Sequence, residues 1–422
     1  MKKTLKSLSL SILLLLVVSL VFSPVVEANT REDALKLNAS AAILVDADTG
    51  QIIYENNSDE LAAVASMSKI MTEYLLLEAV KEGKVTWDQE VVIDNYIWRL
   101  SSAPNLSNIG LTEGQKYTIK ELYEAMVIFS GNAASVAIAQ AVAGSETEFV
   151  KMMNAKAEEL DLKEYNFVNS TGLNNADVLE NIAAGSKTDE NMMSARATAK
   201  LAFHLLKDFP EVLETAKIPK LQFRDGKEYT NFNWMLPSLI FEYEGIDGLK
   251  TGSTILAGSC FTATAIRGDQ RYISVVMNSP SKEERFIETA KLLDYGFNNF
   301  KKKEVLKEGA TIEGNKTIKV PDGKERSVTI SAKQSITLLV NENDDRQYQL
   351  RAYGDKMPSS MLAPIKKGDF VVSAELVDQD GKTVSFISND GMNLNNIEIT
   401  TDKAVKKANF FVRLWRSIVD FF

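Results

Sequence analysis

Two apolar runs, Ala41 to Val45 and Gln51 to Tyr54, flank Asp48-Thr49-Gly50, the pattern of a β-hairpin. Downstream, residues 66–82, 119–143 and 187–207 carry apolar positions at helical spacing with no proline among them, which predicts helices. Strand-like runs return at Cys260 to Ile266 and Arg271 to Met277 around a turn at Gly268-Asp269, and a helical run after Phe286 ends at Gly296. Strands early and late with helices between them predict an α/β (or α+β) domain over residues 29–298.

Past Lys301-Lys302-Lys303 the texture changes. Short alternating segments at Ser327 to Ile330, Ile336 to Val340 and Phe370 to Leu376 lie between turns at Pro321-Asp322-Gly323 and Asp380-Gly381. They predict a small all-β module over residues 299–403. The remaining residues, 404–422, read differently. At helical spacing Phe410, Phe411, Val412, Leu414, Trp415, Ile418, Val419, Phe421 and Phe422 fall within an arc of about 200°, and Asn409, Arg413, Arg416, Ser417 and Asp420 fill the other side. Such a helix suits a membrane interface, with docking on its own protein as the alternative. Its one-sided apolar face rules out spanning.

The chain start reads as an export signal. Lys2, Lys3 and Lys6 precede an apolar run from Ile12 to Phe22, and Val26-Glu27-Ala28 is a small-residue cleavage site, so residues 1–28 are expected to be removed. The expected location is the outer face of the cytoplasmic membrane, on the cell-wall side. The 422 residues carry a formal net charge of -9, and losing 1–28 makes the chain more acidic still. A nucleic-acid partner needs a concentrated basic surface, so none is expected. The single cysteine, Cys260, cannot form an internal disulfide and sits in a strand-like run, where a buried core residue is expected. The single histidine, His204, lies in an apolar helical stretch and reads as structural. Hydrolysis through a histidine triad or a zinc site therefore has too few ligands, and neither metal nor cofactor is expected.

Ser66-Met67-Ser68-Lys69 opens the first strong helix, where positions three apart share a face, so Lys69 can reach the Ser66 hydroxyl. A serine needs a base, and a lysine held neutral by burial or neighbouring cations can serve. About one or two such pairs arise by chance in a chain this long. A second, Ser279-Pro280-Ser281-Lys282, falls in a proline-containing loop that does not direct lysine onto serine. Ser130-Gly131-Asn132 interrupts a helical pattern, exposing a hydroxyl able to relay a proton and an amide able to hold a peptide. Lys250-Thr251-Gly252 precedes a strand. Its lysine and threonine could grip an anion, and its glycine would let a peptide lie close against the strand.

In this order the three motifs resemble the serine penicillin-recognising enzymes. Their flanks, Ala65 to Thr72, Phe129 to Ala134 and Gly245 to Gly252, with Asn169-Ser170-Thr171-Gly172-Leu173, are similar to the low-molecular-mass D-alanyl-D-alanine carboxypeptidases. The resemblance implies a penicillin-recognising, β-lactamase-like fold, a β-rich second domain and a C-terminal helix on the membrane. It implies that Ser66 is acylated, Lys69 is the base and Ser130 passes the proton to the departing D-alanine. Asn132 would position the peptide, Lys250 and Thr251 would bind its carboxylate, and Arg285 would support that pocket. The backbone N–H groups of Ser66 and Ser253 would form the oxyanion hole beside Gly252. The expected partners are the peptidoglycan stem pentapeptide and β-lactams.

Two departures stand out. Ser253-Thr254-Ile255-Leu256 replaces the histidine, threonine and acidic residues common in the family, and Ala195 to Ala199 lacks an expected aspartate. Two other functions compete with the carboxypeptidase. A β-lactamase would share nucleophile and base, but no Glu-x-x-Leu-Asn stretch lies between Ser130 and Lys250. A catalytically slow peptidoglycan-binding protein would not need Ser66, Lys69, Ser130 and Lys250 intact.

Overall fold

The computed structural model describes residues 35–179, 181–388 and 396–419; the expected export signal lies outside them. The chain divides into Met1–Leu37 and the compact unit Asn38–Phe422, and all strands and helices of the described residues lie in the second. Strands β1 (Ala41–Asp46) and β2 (Ile52–Asn56) form the expected hairpin. The Asp46 carboxylate closes its turn by accepting from the Thr49 N–H at 3.1 Å.

A block of helices follows: α1 (Lys69–Lys81), α2 (Ile119–Phe129), α3 (Asn132–Ala143), α4 (Glu146–Glu159) and α5 (Ala195–Asp208). Their starts are set by side chains. Thr118 and Glu121 form a reciprocal capping box on α2, and the Ser145 and Ser194 side chains accept backbone N–H groups at the starts of α4 and α5. Such a cap contributes about 1 kcal/mol. The Ser194 cap also corrects an expectation: the helix predicted over 187–207 begins only at Ala195, because Met192–Met193 is drawn into a short ladder with Ala62–Ala63 and Tyr165–Asn166.

Strands β3 (Ile246–Thr254), β4 (Gly258–Arg267) and β5 (Gln270–Ser279), then helix α6 (Glu284–Asn299), complete this half. The sheet runs β3-β4-β5-β1-β2, antiparallel throughout, with Ala41 opposite Met277. Alternation sends Ile43, Val45, Ile273 and Val275 into a core shared with α1 and α5. On the other face Gly296 of α6 lies against Leu44 and Tyr272. A second core, built largely from α2 and α3, forms a helical lobe. Both faces of the sheet are covered, and β3 is left as an edge.

The C-terminal half is all β, as its alternation predicts. The Lys301-Lys302-Lys303 run lies on strand β6 (Phe300–Leu306). A five-stranded sheet is ordered β7-β8-β12-β11-β10, comprising Thr317–Lys319 (β7), Ser327–Ala332 (β8), Tyr348–Ala352 (β10), Phe370–Asp378 (β11) and Ile397–Thr401 (β12). Strand β9 (Ile336–Asn341) pairs with β6. This module is stitched to the first hairpin. The Gln51 amide donates to the Leu339 carbonyl and accepts from the Leu339 N–H, both at 2.9 Å. The Ile387 N–H donates to Gly50 O at 2.7 Å, and the Ile387 side chain is buried in the core of the preceding half.

Helix α7 (Phe410–Val419) carries the expected apolar face. Phe410, Phe411 and Trp415 are 63%, 78% and 68% exposed. Its polar side faces the protein, with Arg416 Nη1 donating to Gly323 O at 2.6 Å. Among the described residues no helix is long and apolar enough to cross a membrane.

Candidate active site

The Ser66 hydroxyl sits in a tight 3₁₀ turn, Ala65–Ser68, that feeds directly into α1. Ala65 has φ +48, an uncommon conformation for a residue with a side chain, and the Ser68 hydroxyl ties the turn down by donating to Ala65 O at 2.7 Å. The turn is gripped from two sides. A Cβ on Gly172 would come within 1.9 Å of Ala65 O, and one on Gly252 within 2.5 Å of Val64 O. The glycine of Lys250-Thr251-Gly252 therefore makes room for the backbone that carries Ser66, a demand its sequence did not show.

Lys69, the first residue of α1, is 1% exposed, and its Nζ lies 2.9 Å from Ser66 Oγ. Two further contacts orient it: Nζ donates to Asn132 Oδ1 at 2.8 Å and to Thr171 O at 2.6 Å. Both partners are acceptors only. A neutral amine has two N–H groups and one lone pair, so these bonds leave the lone pair facing the serine. Burial holds Lys69 well below the usual lysine range, and the nearby Lys250 ammonium adds to the effect. The chemistry of a general base follows from this position and this lowered proton affinity.

Ser130 ends α2 in a left-handed conformation (φ 56, ψ 32), which breaks the helix and lets Asn132 open α3. Ser130 Oγ is buried without a hydrogen-bond partner among the described residues, an orphan that a bound substrate can satisfy. Asn132 is fixed by donating to Ser107 O from both its backbone N–H and its Nδ2, each at 3.0 Å.

The edge strand β3 supplies Lys250, Thr251, Gly252 and the exposed Ser253. Burial draws Lys250 down to about 7, helped by the Arg285 guanidinium and opposed by the Glu73 carboxylate. Arg285 is 2% exposed, so it is no solvated helix charge. From the first turn of α6 its Nη1 donates to Gly252 O at 3.2 Å, and burial draws it down to about 10. In place of the family's acidic residues, Thr254 Oγ1 donates to the buried Glu190 at 2.7 Å, and Glu190 accepts from Asn174 at 3.1 Å. The aspartate missing from Ala195 to Ala199 leaves no loose start to α5, since Arg196 there bonds Glu55, Ser58 and Asp59.

The structure thus gathers Ser66, Lys69 and Asn132 into direct contact, with Lys250 beside Lys69 and Arg285 behind β3. Of the second serine-lysine pair, Ser279 is buried and Lys282 exposed. The sequence did not point to Thr171 as a partner of Lys69. Its loop is built by Asn169 Oδ1, which accepts from Thr171 N (3.1 Å), Thr171 Oγ1 (2.8 Å) and Gly172 N (2.7 Å). Glu146 Oε1 adds a bond to Ser170 N at 3.0 Å. Cys260 and His204 are buried, as expected. Cys260 has its thiol pushed up to about 11 by burial, unsuited to a nucleophile.

A serine paired with a buried lysine held well below the usual range, at the junction of a covered antiparallel sheet and a helical lobe, defines a serine hydrolase of the penicillin-recognising fold. A family model described as D-alanyl-D-alanine carboxypeptidase matches residues 27–281, and one described as the penicillin-binding protein 5 C-terminal domain matches residues 300–407. The D-alanyl-D-alanine carboxypeptidase DacF of Bacillus subtilis (strain 168) is 31% identical over 422 residues, 100% of this chain and 99% of its own. DacC of Escherichia coli (strain K12) is 30% identical, covering 91% of this chain and 88% of its own. Among solved structures, a peptidoglycan synthesis regulatory factor (PBP3) from Streptococcus pneumoniae is 34% identical with a TM-score of 0.69, covering 88% of this chain and 100% of that one. Penicillin-binding protein D2 from Listeria monocytogenes in its cefotaxime-bound form is 32% identical with a TM-score of 0.53, covering 62% of this chain and 98% of that one. The chain belongs to the D-alanyl-D-alanine carboxypeptidase family of serine peptidases, and it carries that family's all-β C-terminal domain.

Proposed function

We propose that this enzyme removes the terminal D-alanine from peptidoglycan stem pentapeptides through an ester on Ser66. The observation that carries the reading is the three-way hold on Lys69, which turns a neutral amine toward Ser66 Oγ at 2.9 Å. Lys69 takes the hydroxyl proton as Ser66 attacks the carbonyl between the two D-alanines. The C–N bond breaks, and D-alanine leaves with a proton delivered through Ser130. Water then cleaves the ester and restores Ser66. Asn132 positions the peptide, Lys250 and Thr251 receive its terminal carboxylate with Arg285 supporting that pocket, and the N–H groups of Ser66 and Ser253 bind the developing oxyanion. A β-lactam mimics the dipeptide and leaves a slowly hydrolysed adduct.

The proposed division is an export signal (1–28), a catalytic domain (29–298), a β domain (299–403) and an anchoring helix (404–422). The outward apolar face of α7 and the inward Arg416 support a bilayer surface as its partner, with the enzyme on the cell-wall side of the cytoplasmic membrane. Release of D-alanine from a D-Ala-D-Ala peptide tests the reaction. The wild-type protein should turn over, while Ser66→Ala and Lys69→Met should not. Release by Ser66→Ala at the wild-type rate would remove Ser66 as nucleophile.

A further inference from the structure

Lys69, Lys250 and Arg285 bring three basic side chains into one buried region, exposed by 1%, 5% and 2%. Among the described residues none of them has a carboxylate at salt-bridge distance. Yet the reaction proposed above asks opposite things of the two lysines. Lys69 must be neutral to accept a proton, whereas Lys250 must be an ammonium to receive a carboxylate.

Glu73 lies four residues after Lys69 on α1, so the two share a helix face. It is 5% exposed in a run that is otherwise apolar, Tyr74-Leu75-Leu76-Leu77 following it. Its Oε1 accepts from Tyr123 Oη of α2 at 2.7 Å. A glutamine would accept that bond equally well and would cost less to bury, so the hydrogen bond does not explain the charge. The cation that acts electrostatically on this carboxylate is Lys250, from β3. Lys250 also interacts electrostatically with Arg285 of α6 and Lys69 of α1, and Tyr123 with Glu211.

We infer that Glu73 is a positioning residue for the reaction, the buried counter-charge that keeps Lys250 an ammonium while Lys69 stays neutral. Burial raises Glu73 to about 7, with the Tyr123 bond and Lys250 opposing the rise. The carboxylate favours a proton on Lys250, and that ammonium in turn disfavours one on Lys69. Glu73 thus acts on the substrate only through Lys250. The inference rests on the roles proposed for the two lysines.

The test is the pH profile of kcat/KM for D-alanine release in the wild-type protein, Glu73→Gln and Tyr123→Phe. The alkaline limb of this profile reports loss of the Lys250 proton in the free enzyme. Glu73→Gln should move that limb down by about one pH unit. On the alkaline side KM should rise about tenfold, with kcat within about twofold. Tyr123→Phe keeps the carboxylate but removes the phenol's hydrogen bond, so Glu73 takes a proton more easily and the alkaline limb should move down by less than in Glu73→Gln. Tyr123→Phe tests the inference even if Glu73→Gln does not fold. Unmoved limbs in both variants, or a fall in kcat at every pH with the limbs in place, would reduce Glu73 to a structural residue and overturn the inference alone. A wild-type protein that releases no D-alanine would overturn the reading beneath it as well.

Discussion

Gly172 lies so close to Ala65 that a Cβ at residue 172 would come within 1.9 Å of the Ala65 carbonyl oxygen. The strained turn bearing Ser66 is wedged between this glycine and Gly252 of the edge strand. Gly172→Ala must displace the turn, and a shift of about 1 Å at a reacting atom can cost about 100-fold in rate. Acylation by benzylpenicillin should slow by at least about that factor in a protein with a native circular dichroism spectrum. Gly114 makes a control. It has a similar φ of +72 against Gly172's +80, with nothing within 4 Å, so Gly114→Ala should lose about 1–2 kcal/mol of stability and keep wild-type acylation.

The charge on the acceptor beside Lys69 should set the pH of acylation. Asn132→Asp places a carboxylate where Asn132 Oδ1 now accepts from Nζ at 2.8 Å. An anion there favours the protonated lysine, and only the neutral form can take the Ser66 proton. The acid limb of the acylation profile should move up by about one pH unit or more, with a fall of about tenfold at neutral pH that alkaline buffer restores. A uniform loss at all pH values would contradict this role for Lys69.

Much of this site was legible because it is local or sequential. Ser66 and Lys69 meet through one helical turn, and the break at Ser130 and Asn132 shows as an interruption in an apolar pattern. What was not legible depends on backbone groups brought from afar. The Thr171 carbonyl reaches Lys69 across 102 positions, and a carbonyl leaves no mark on a sequence. A further role of Gly252 was hidden for a related reason, since the atom that excludes a side chain there belongs to Val64. Glu73 did leave a signal, an acidic residue in an apolar helix one turn beyond the base, but its meaning needed Lys250 in place. The fold was readable at the level of elements. Its failure at 187–194 came from a short ladder between distant segments, which overrode the local helical pattern.

Ile387 joins the two halves as a core residue of one carried by the other. It packs beside Phe203 over Gly50, where a Cβ on the glycine would lie 3.1 Å from its Cγ2. Ile387→Ala should cost about 2–5 kcal/mol. Thermal unfolding should show one lowered transition for both halves. A separate early transition of the β domain, with the catalytic half unaffected, would contradict this coupling.

Helix α7 should bind bilayers through its exposed aromatics. Phe411→Glu with Trp415→Glu should abolish sedimentation with vesicles containing anionic lipid and leave D-alanine release from a soluble peptide unchanged. Undiminished sedimentation would place the membrane contact elsewhere.

The central claim is that Ser66 forms the covalent intermediate, and intact mass after incubation with benzylpenicillin tests it most directly. The expected result is a persistent adduct mapped to the peptide containing Ser66 and absent from Ser66→Ala. Rapid loss of penicillin with no adduct would indicate a β-lactamase. No adduct and no loss of penicillin would mean that the serine is not activated, contradicting the mechanism at its first step.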